Sequence, residues 1–354
     1  MPQPHQLNID EVMQPTLSPK ELQTLYRLLA DATSLPVVGQ FLKNKDLPFS
    51  AGSWKEMIEN RLSRFLNEDK ITHKELYDLL SVSEEYGRTH SFLYRCDPSN
   101  AAKLLSKAHV ERHANNLGLK RVFTNPLVLD LPDFPKIAQI RWDKEKRGNC
   151  LVFKIIEKRE TKEYIGERHE DSRFIKEWRI IRSRAVNTVR LFDSGLLEFR
   201  LQSHRNSSSS RYSDILNHIW HGMLIGFLPP KQFAALSMQN AKSEIWRKKD
   251  ELAEIVRFSD SVLRNGKGNT MIASSKDSIS DLSEDEFLTK GVDAFMEGGA
   301  SCDSSNIWWK KGEDSLPSKD IHMLLSGKLN EFAVTMDCNK DDFEYVFDRI
   351  ASFA

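Results

Sequence analysis

The sequence has few cysteines, no long apolar run and no excess of either charge, and each lack closes off a class of protein. Its four cysteines (Cys96, Cys150, Cys302, Cys338) lie far apart, with no pair at the spacing of a zinc knuckle or redox motif, so a reduced compartment is expected. No stretch approaches the roughly 18 apolar residues of a membrane span, and no membrane partner is expected. The opening MPQPHQLNIDEV has neither the basic nor the apolar region of a secretion signal. These absences predict an intracellular protein, cytoplasmic or chromosome-associated. What is present is ordinary globular material: 40% hydrophobic and 29% charged residues exclude a wholly disordered or collagen-like chain. A length of 354 residues suggests two or three domains.

The balance of 51 Lys+Arg against 51 Asp+Glu hides a segregation. Residues 1–100 carry 11 basic and 14 acidic side chains, and residues 101–211 carry 24 and 14. Residues 212–260 balance at 6 and 6, and residues 261–354 carry 10 and 17. A basic middle beside an acidic end points to an anionic partner, most often nucleic acid. The competing explanation is that the acidic end docks on the basic middle within the molecule or its oligomer.

Residues 1–17 are polar with three prolines and read as a flexible N-terminus. Helices follow. Ser18-Pro19-Lys20-Glu21, Ser53-Trp54-Lys55-Glu56 and Thr72-His73-Lys74-Glu75 are capping boxes ahead of apolar stripes, and Asp97-Pro98 opens a fourth helix. Residues 18–118 are therefore assigned to a helical domain. Pro126, Pro132 and Pro135 then punctuate a connector, after which short β-branched and aromatic runs predict an antiparallel sheet over 119–211. Ile137–Trp142 and Cys150–Ile156 flank a long basic loop, DKEKRGN, while Val186–Phe192 and Leu196–Leu201 flank Asp193-Ser194-Gly195. One or two further strands are expected between these hairpins. Helical spacing returns over 212–268, as one helix from Tyr212 to Leu228 and a longer one from Pro230 to about Leu263. An acidic α/β region fills 269–354, with a flexible Ser/Asp-rich stretch over 273–286, a strand at Phe332–Met336 and a final helix burying Phe343, Val346, Phe347 and Ile350. The fold class is α+β, with no internal repeat.

Catalytic motifs are weak. His109 and His113 share a helix face, but the zincin motif needs Glu at the position of Val110. His218 and His221 lack a nearby carboxylate or Cys, and the Gly-Lys-Gly at Lys267 lacks P-loop spacing. Asp143 followed by Glu160-Thr161-Lys162 meets the string of a metal-dependent nuclease, in a charged context unlike a core strand. No catalytic residue, metal or cofactor is assigned. The basic sheet is the better candidate. Arg141, Lys144, Lys146, Arg147, Lys158, Arg182, Arg184 and Arg190 are assigned phosphate contacts, because Lys and Arg neutralise phosphates and release counterions. In Ile180-Ile181-Arg182-Ser183-Arg184 the cations alternate, so a strand would show both on one side. The interleaved Trp142, Phe153, Tyr164, Phe174 and Trp178 are read as core.

KEMIENRLSRFL followed by ITHKELYDLL, then IRW, LVFKIIEK and VRLFDSGLLEFRL, resembles the CENP-N family of kinetochore proteins across residues 18–201. That resemblance implies a pyrin-like helical domain ahead of a basic β-containing domain, both contributing contacts to nucleosomal DNA. LPFSAGSWKEMIENRL also looks like a SAP-type DNA module. The resulting expectation is a non-enzymatic, sequence-nonspecific nucleic-acid-binding subunit, for duplex DNA more than RNA, with a protein partner on the acidic C-terminal region. A bacterial phage-defence complex is one setting for it. The alternatives are a protein-interaction scaffold whose basic sheet docks an acidic partner, and a divergent nuclease.

Overall fold

Side-chain caps start the helices where the sequence places them. In the computed structural model, which describes residues 17–203, 209–275, 279–313, 315–325 and 330–353, Ser18 and Glu21 complete a capping box at α1 (Pro19–Ala32). After α2 (Leu35–Lys43), Ser53 caps α3 (Trp54–Met57), which passes through a π-helical turn, Ile58–Leu62, into α4 (Ser63–Asn67). Thr72 and Glu75 satisfy each other's backbone N–H at α5 (His73–Glu84).

The helical domain expected over 18–118 is then interrupted by strand β1 (Thr89–Arg95), before Asp97 caps α6 (Pro98–Leu104) and α7 (Lys107–Asn116) follows. Four antiparallel strands come next: β2 (Lys136–Glu145), β3 (Gly148–Glu170), β4 (Arg173–Phe192) and β5 (Leu196–Gln202). The long basic loop shrinks to a tight turn, because β2 runs on through Lys144 and Gly148 takes a φ of +117°. Helix α8 (Ser209–Asn217) continues as π-helical His218–Leu224.

No helix spans Pro230 to Leu263. A short β6 (Ala234–Ala235), α9 (Gln239–Arg247) and α10 (Lys249–Leu252) lead into strand β7 (Val256–Asn265). A register shift in β7, at Phe258/Asp260, inserts an extra residue and breaks the two-residue alternation that marks a strand in sequence. The chain ends with β8 (Thr270–Ser274), α11 (Glu286–Glu297), β9 (Ala300–Trp309), β10 (Ile321–Leu325), β11 (Glu331–Val334) and α12 (Lys340–Ala351). Thus β8 occupies the start of the stretch read as flexible, residues 276–278 of which lie outside the described residues, as do residues 1–16 of the polar start.

The fold is α+β, in two units. Unit 1 comprises Met1–Glu84, Glu111–Arg141 and Phe153–Ala185; unit 2 comprises Glu85–Val110, Trp142–Val152 and Val186–Ala354. Unit 1 has a helical core around Leu25, Leu29, Leu42, Leu62, Phe65 and Leu80. In unit 2 the strand order is β5-β1-β11-β10-β9-β7-β8, with β6 also on β1, and residues 142–145 of β2, 148–152 of β3 and 186–192 of β4 continue it beyond β5 in the order β4, β3, β2. Trp246 of α9, Val292 of α11 and Phe343, Val346, Phe347 and Ile350 of α12 join one core with Phe258, Trp309, Met323 and Phe332 of the sheet. Among the described residues no helix is long and apolar enough to cross a membrane.

Candidate interaction site

The eight proposed phosphate contacts divide between the units, and burial separates them further. In unit 2, Arg190 has 4% of its side chain exposed and Arg147 has 15%. Arg190 Nη1 donates to Glu344 Oε1 at 2.8 Å and lies 3.5 Å from Glu198 Oε2, with Glu145 3.4 Å from its Nη2. Arg147 donates to Glu344, binds Asp348 Oδ1 at 2.6 Å and lies 3.9 Å over the Phe347 ring. Arg200, fully buried, makes a two-point contact with Glu198 at 2.9 and 3.0 Å and stacks 3.9 Å over Phe343. Helix α12 supplies Phe343, Glu344, Phe347 and Asp348 to this cluster, at positions that share one helical face. The acidic end thus docks on basic residues within unit 2, as the competing explanation of the charge pattern requires.

The electrostatics follow from that packing. Burial alone would raise the Glu344 carboxyl, but Arg190, Arg200 and Arg147 hold it far below the usual carboxylate range. Burial likewise works against the Arg190 cation, and Glu344 and Glu198 outweigh it, so its pKa rises. These arginines are committed to carboxylates and are not a phosphate-facing surface.

Unit 1 repeats the pattern on a smaller scale. Lys154 Nζ, fully buried, lies 3.0 Å from Glu84 Oε2 and donates to Ser81 Oγ at 3.0 Å, with the Tyr77 ring 5.0 Å away. Arg184 shares Glu84 and donates to the Leu129 carbonyl at 2.7 Å. Its neighbour in the expected row, Arg182, is exposed and pairs with Glu160 at 2.8 Å, so burial splits the row. Lys158 lies 3.7 Å from Asp133, and Arg141 donates to Gln139 Oε1 at 2.8 Å. Only Lys144 and Lys146 of the eight are exposed without an ion pair.

Glu160 is paired with Arg182, and His109 Nε2 contacts the Phe227 carbonyl at 3.0 Å. Among the described residues no group of three or more His, Cys, Asp or Glu is placed to hold a metal.

The feature the sequence reading missed is the outer length of the β3–β4 hairpin. No residue from 160 to 184 is buried, and Tyr164, Ile165, Phe174, Trp178, Ile180 and Ile181 are 41–54% exposed. The sequence predicts Tyr164, Phe174 and Trp178 in the core, but of the five interleaved aromatics only Phe153 is fully buried. Tyr164 meets Trp178 edge-on at 5.3 Å, His169 meets Phe174 at 5.1 Å, and ion pairs join Arg179 to Glu163 and Arg168 to Glu177. Consecutive Tyr164 and Ile165, like Ile180 and Ile181, point to opposite faces, so neither face of the ribbon is purely polar. Asp171-Ser172, both at positive φ, form the two-residue turn that the right-handed twist of a hairpin favours. Asp-Ser is not among the dipeptides that mark such a turn in a sequence, so the hairpin tip was not legible there.

No protein-family model matches this chain, and no curated protein matches it.

Proposed function

We propose that this chain is a non-enzymatic docking subunit of a larger assembly and that the ribbon of residues 160–183 is its docking element. The observation that carries this reading is the set of six large apolar side chains kept in solvent on a two-stranded ribbon. Two strands alone are marginally stable in water, and apolar patches of this kind mark interaction surfaces. The ribbon carries 6 Lys/Arg and 6 Asp/Glu, which suits a protein partner better than a polyanion.

Duplex DNA remains the second reading, on one observation: Lys144 and Lys146 stand exposed beside the β2–β3 turn. One experiment compares the two readings. Residues 160–183 are replaced by a two-residue turn, and the tagged chain is recovered from its own cells beside the unaltered one. The ribbonless chain is expected to fold and to lose its co-purifying proteins; recovery of the same proteins overturns the docking reading. Purified chain titrated with random-sequence duplex across a salt series is expected to bind weakly. Tight binding that falls steeply with salt and drops in Lys144→Ala/Lys146→Ala would favour DNA.

A further inference from the structure

Resting on the docking reading, we propose that the ribbon pairs with a second copy of itself: β4 of one chain lies antiparallel to β4 of another, about a two-fold axis through Trp178. The outer edge of β4 is open for this, because its pairing with β5 begins at Asn187↔Leu201 and covers none of residues 173–185. Joining two ribbons along that edge makes a four-stranded sheet, which exceeds the three strands needed for a sheet to be stable in water.

The sequence of β4 selects the register. A closed two-fold contact sets residue i of one chain against j of the other, and j against i, so the strand must complement its own reversal. Centred on Trp178, the pairing puts Glu177 of each copy opposite Arg179 of the other. Ile175 then falls opposite Ile181, and Trp178 opposite itself on the axis. The two Glu177–Arg179 pairs are of opposite sign and the two Ile175–Ile181 pairs are apolar, which are combinations that stabilise cross-strand neighbours, while Lys176 falls opposite Ile180 and Phe174 opposite Arg182. Shifting the axis by one residue sets Glu177 against Glu177 or Arg179 against Arg179. Trp178, with the Tyr164 ring 5.3 Å away, also lies at the centre of residues 173–183, a stretch of β4 left open.

The test uses light scattering on the full chain over a wide concentration range, with circular dichroism as the fold control. The unaltered chain is expected to approach twice its 40.8 kDa mass. Arg179→Glu alone sets Glu against Glu across the axis, and Glu177→Lys alone sets Lys against Arg. Each is expected to weaken dimerisation on the order of tenfold with its spectrum unchanged. Mixing the two variants restores both opposite-charge pairs and is expected to restore the dimer. A chain that stays monomeric at every concentration, single variants that dimerise like the parent, or a mixture without rescue each overturn self-pairing. If the chain is monomeric yet the ribbonless form still loses its cellular partners, self-pairing falls and the docking reading stands.

Discussion

Glu344 shows how much a single side chain can carry. Its carboxylate is shared by Arg147, Arg190 and Arg200, in a cluster from which water is largely excluded. Removing one partner from a buried ion cluster leaves the opposite charges uncompensated, typically at about 3–5 kcal/mol. Glu344→Gln is therefore expected to lower the stability measured by urea unfolding by about that amount. Lys340→Ala, at the 39% exposed rim beside Glu145, should cost no more than about 1 kcal/mol. A destabilisation of Glu344→Gln no larger than that of Lys340→Ala would contradict the assignment. The buried thiols give a second residue-scale expectation. Burial pushes Cys150 up to about 11 and Cys302 up to about 12, so neither holds thiolate at neutral pH. Iodoacetamide at pH 7.5 (roughly one unit below a free thiol's pKa) should leave both unlabelled until denaturant is added, as read by mass spectrometry.

At the scale of elements, legibility tracked how local the cause was. The caps of α1, α3, α5 and α6 are contacts within four residues, and the sequence shows all of them. The strand β1 was hidden because its partners, β5 and β11, are far away in the chain. The register shift of β7 at Phe258/Asp260 broke its alternation, and the helical spacing of α9 and α10 reads on into it as one helix. Basic residues misled in a different way. Arg184, alternating with Arg182, and Arg190 further along the strand read as surface cations, but Glu84 and Glu344, which neutralise Arg184 and Arg190, lie roughly a hundred residues or more away in sequence. Spacing rules cannot report such a partner. Two expectations belong here. Trypsin should cut the native chain at exposed Arg168 and Arg173, which flank the tip of the ribbon, mapped by fragment masses; no cut at either site would argue against an exposed tip. Gly195→Ala should destabilise by about 2 kcal/mol or more, because Gly195 has φ +85° and an added Cβ would lie 2.2 Å from the Cys96 carbonyl oxygen. Its thermal midpoint is the readout.

For the molecule as a whole, charge is balanced unit by unit. Unit 1 holds 24 Lys/Arg and 22 Asp/Glu, and unit 2 holds 27 and 29, so neither unit is a basic body awaiting a polyanion. The same balance makes the fold sensitive to acid. Glu344 titrates lower in the folded chain than its ordinary 4.5, so its stabilisation is full above that pH. It is lost as pH falls through the folded value, where both states bind the proton. Urea midpoints measured from pH 7 downwards should therefore fall on acidification, and the slope should be shallower in Glu344→Gln.

The docking of α12 also imposes an order on synthesis. The strands carrying Arg190 and Arg200 are made long before Glu344 leaves the ribosome. Until the last helix arrives, those guanidinium groups lack one of their buried counter-charges, and the sheet of unit 2 lacks Phe343, Val346, Phe347 and Ile350 from its core. Translation stopped at residue 339 would release a product with most of its fold encoded and its cations only partly neutralised. Such a fragment should be a readier protease substrate than the chain that carries α12.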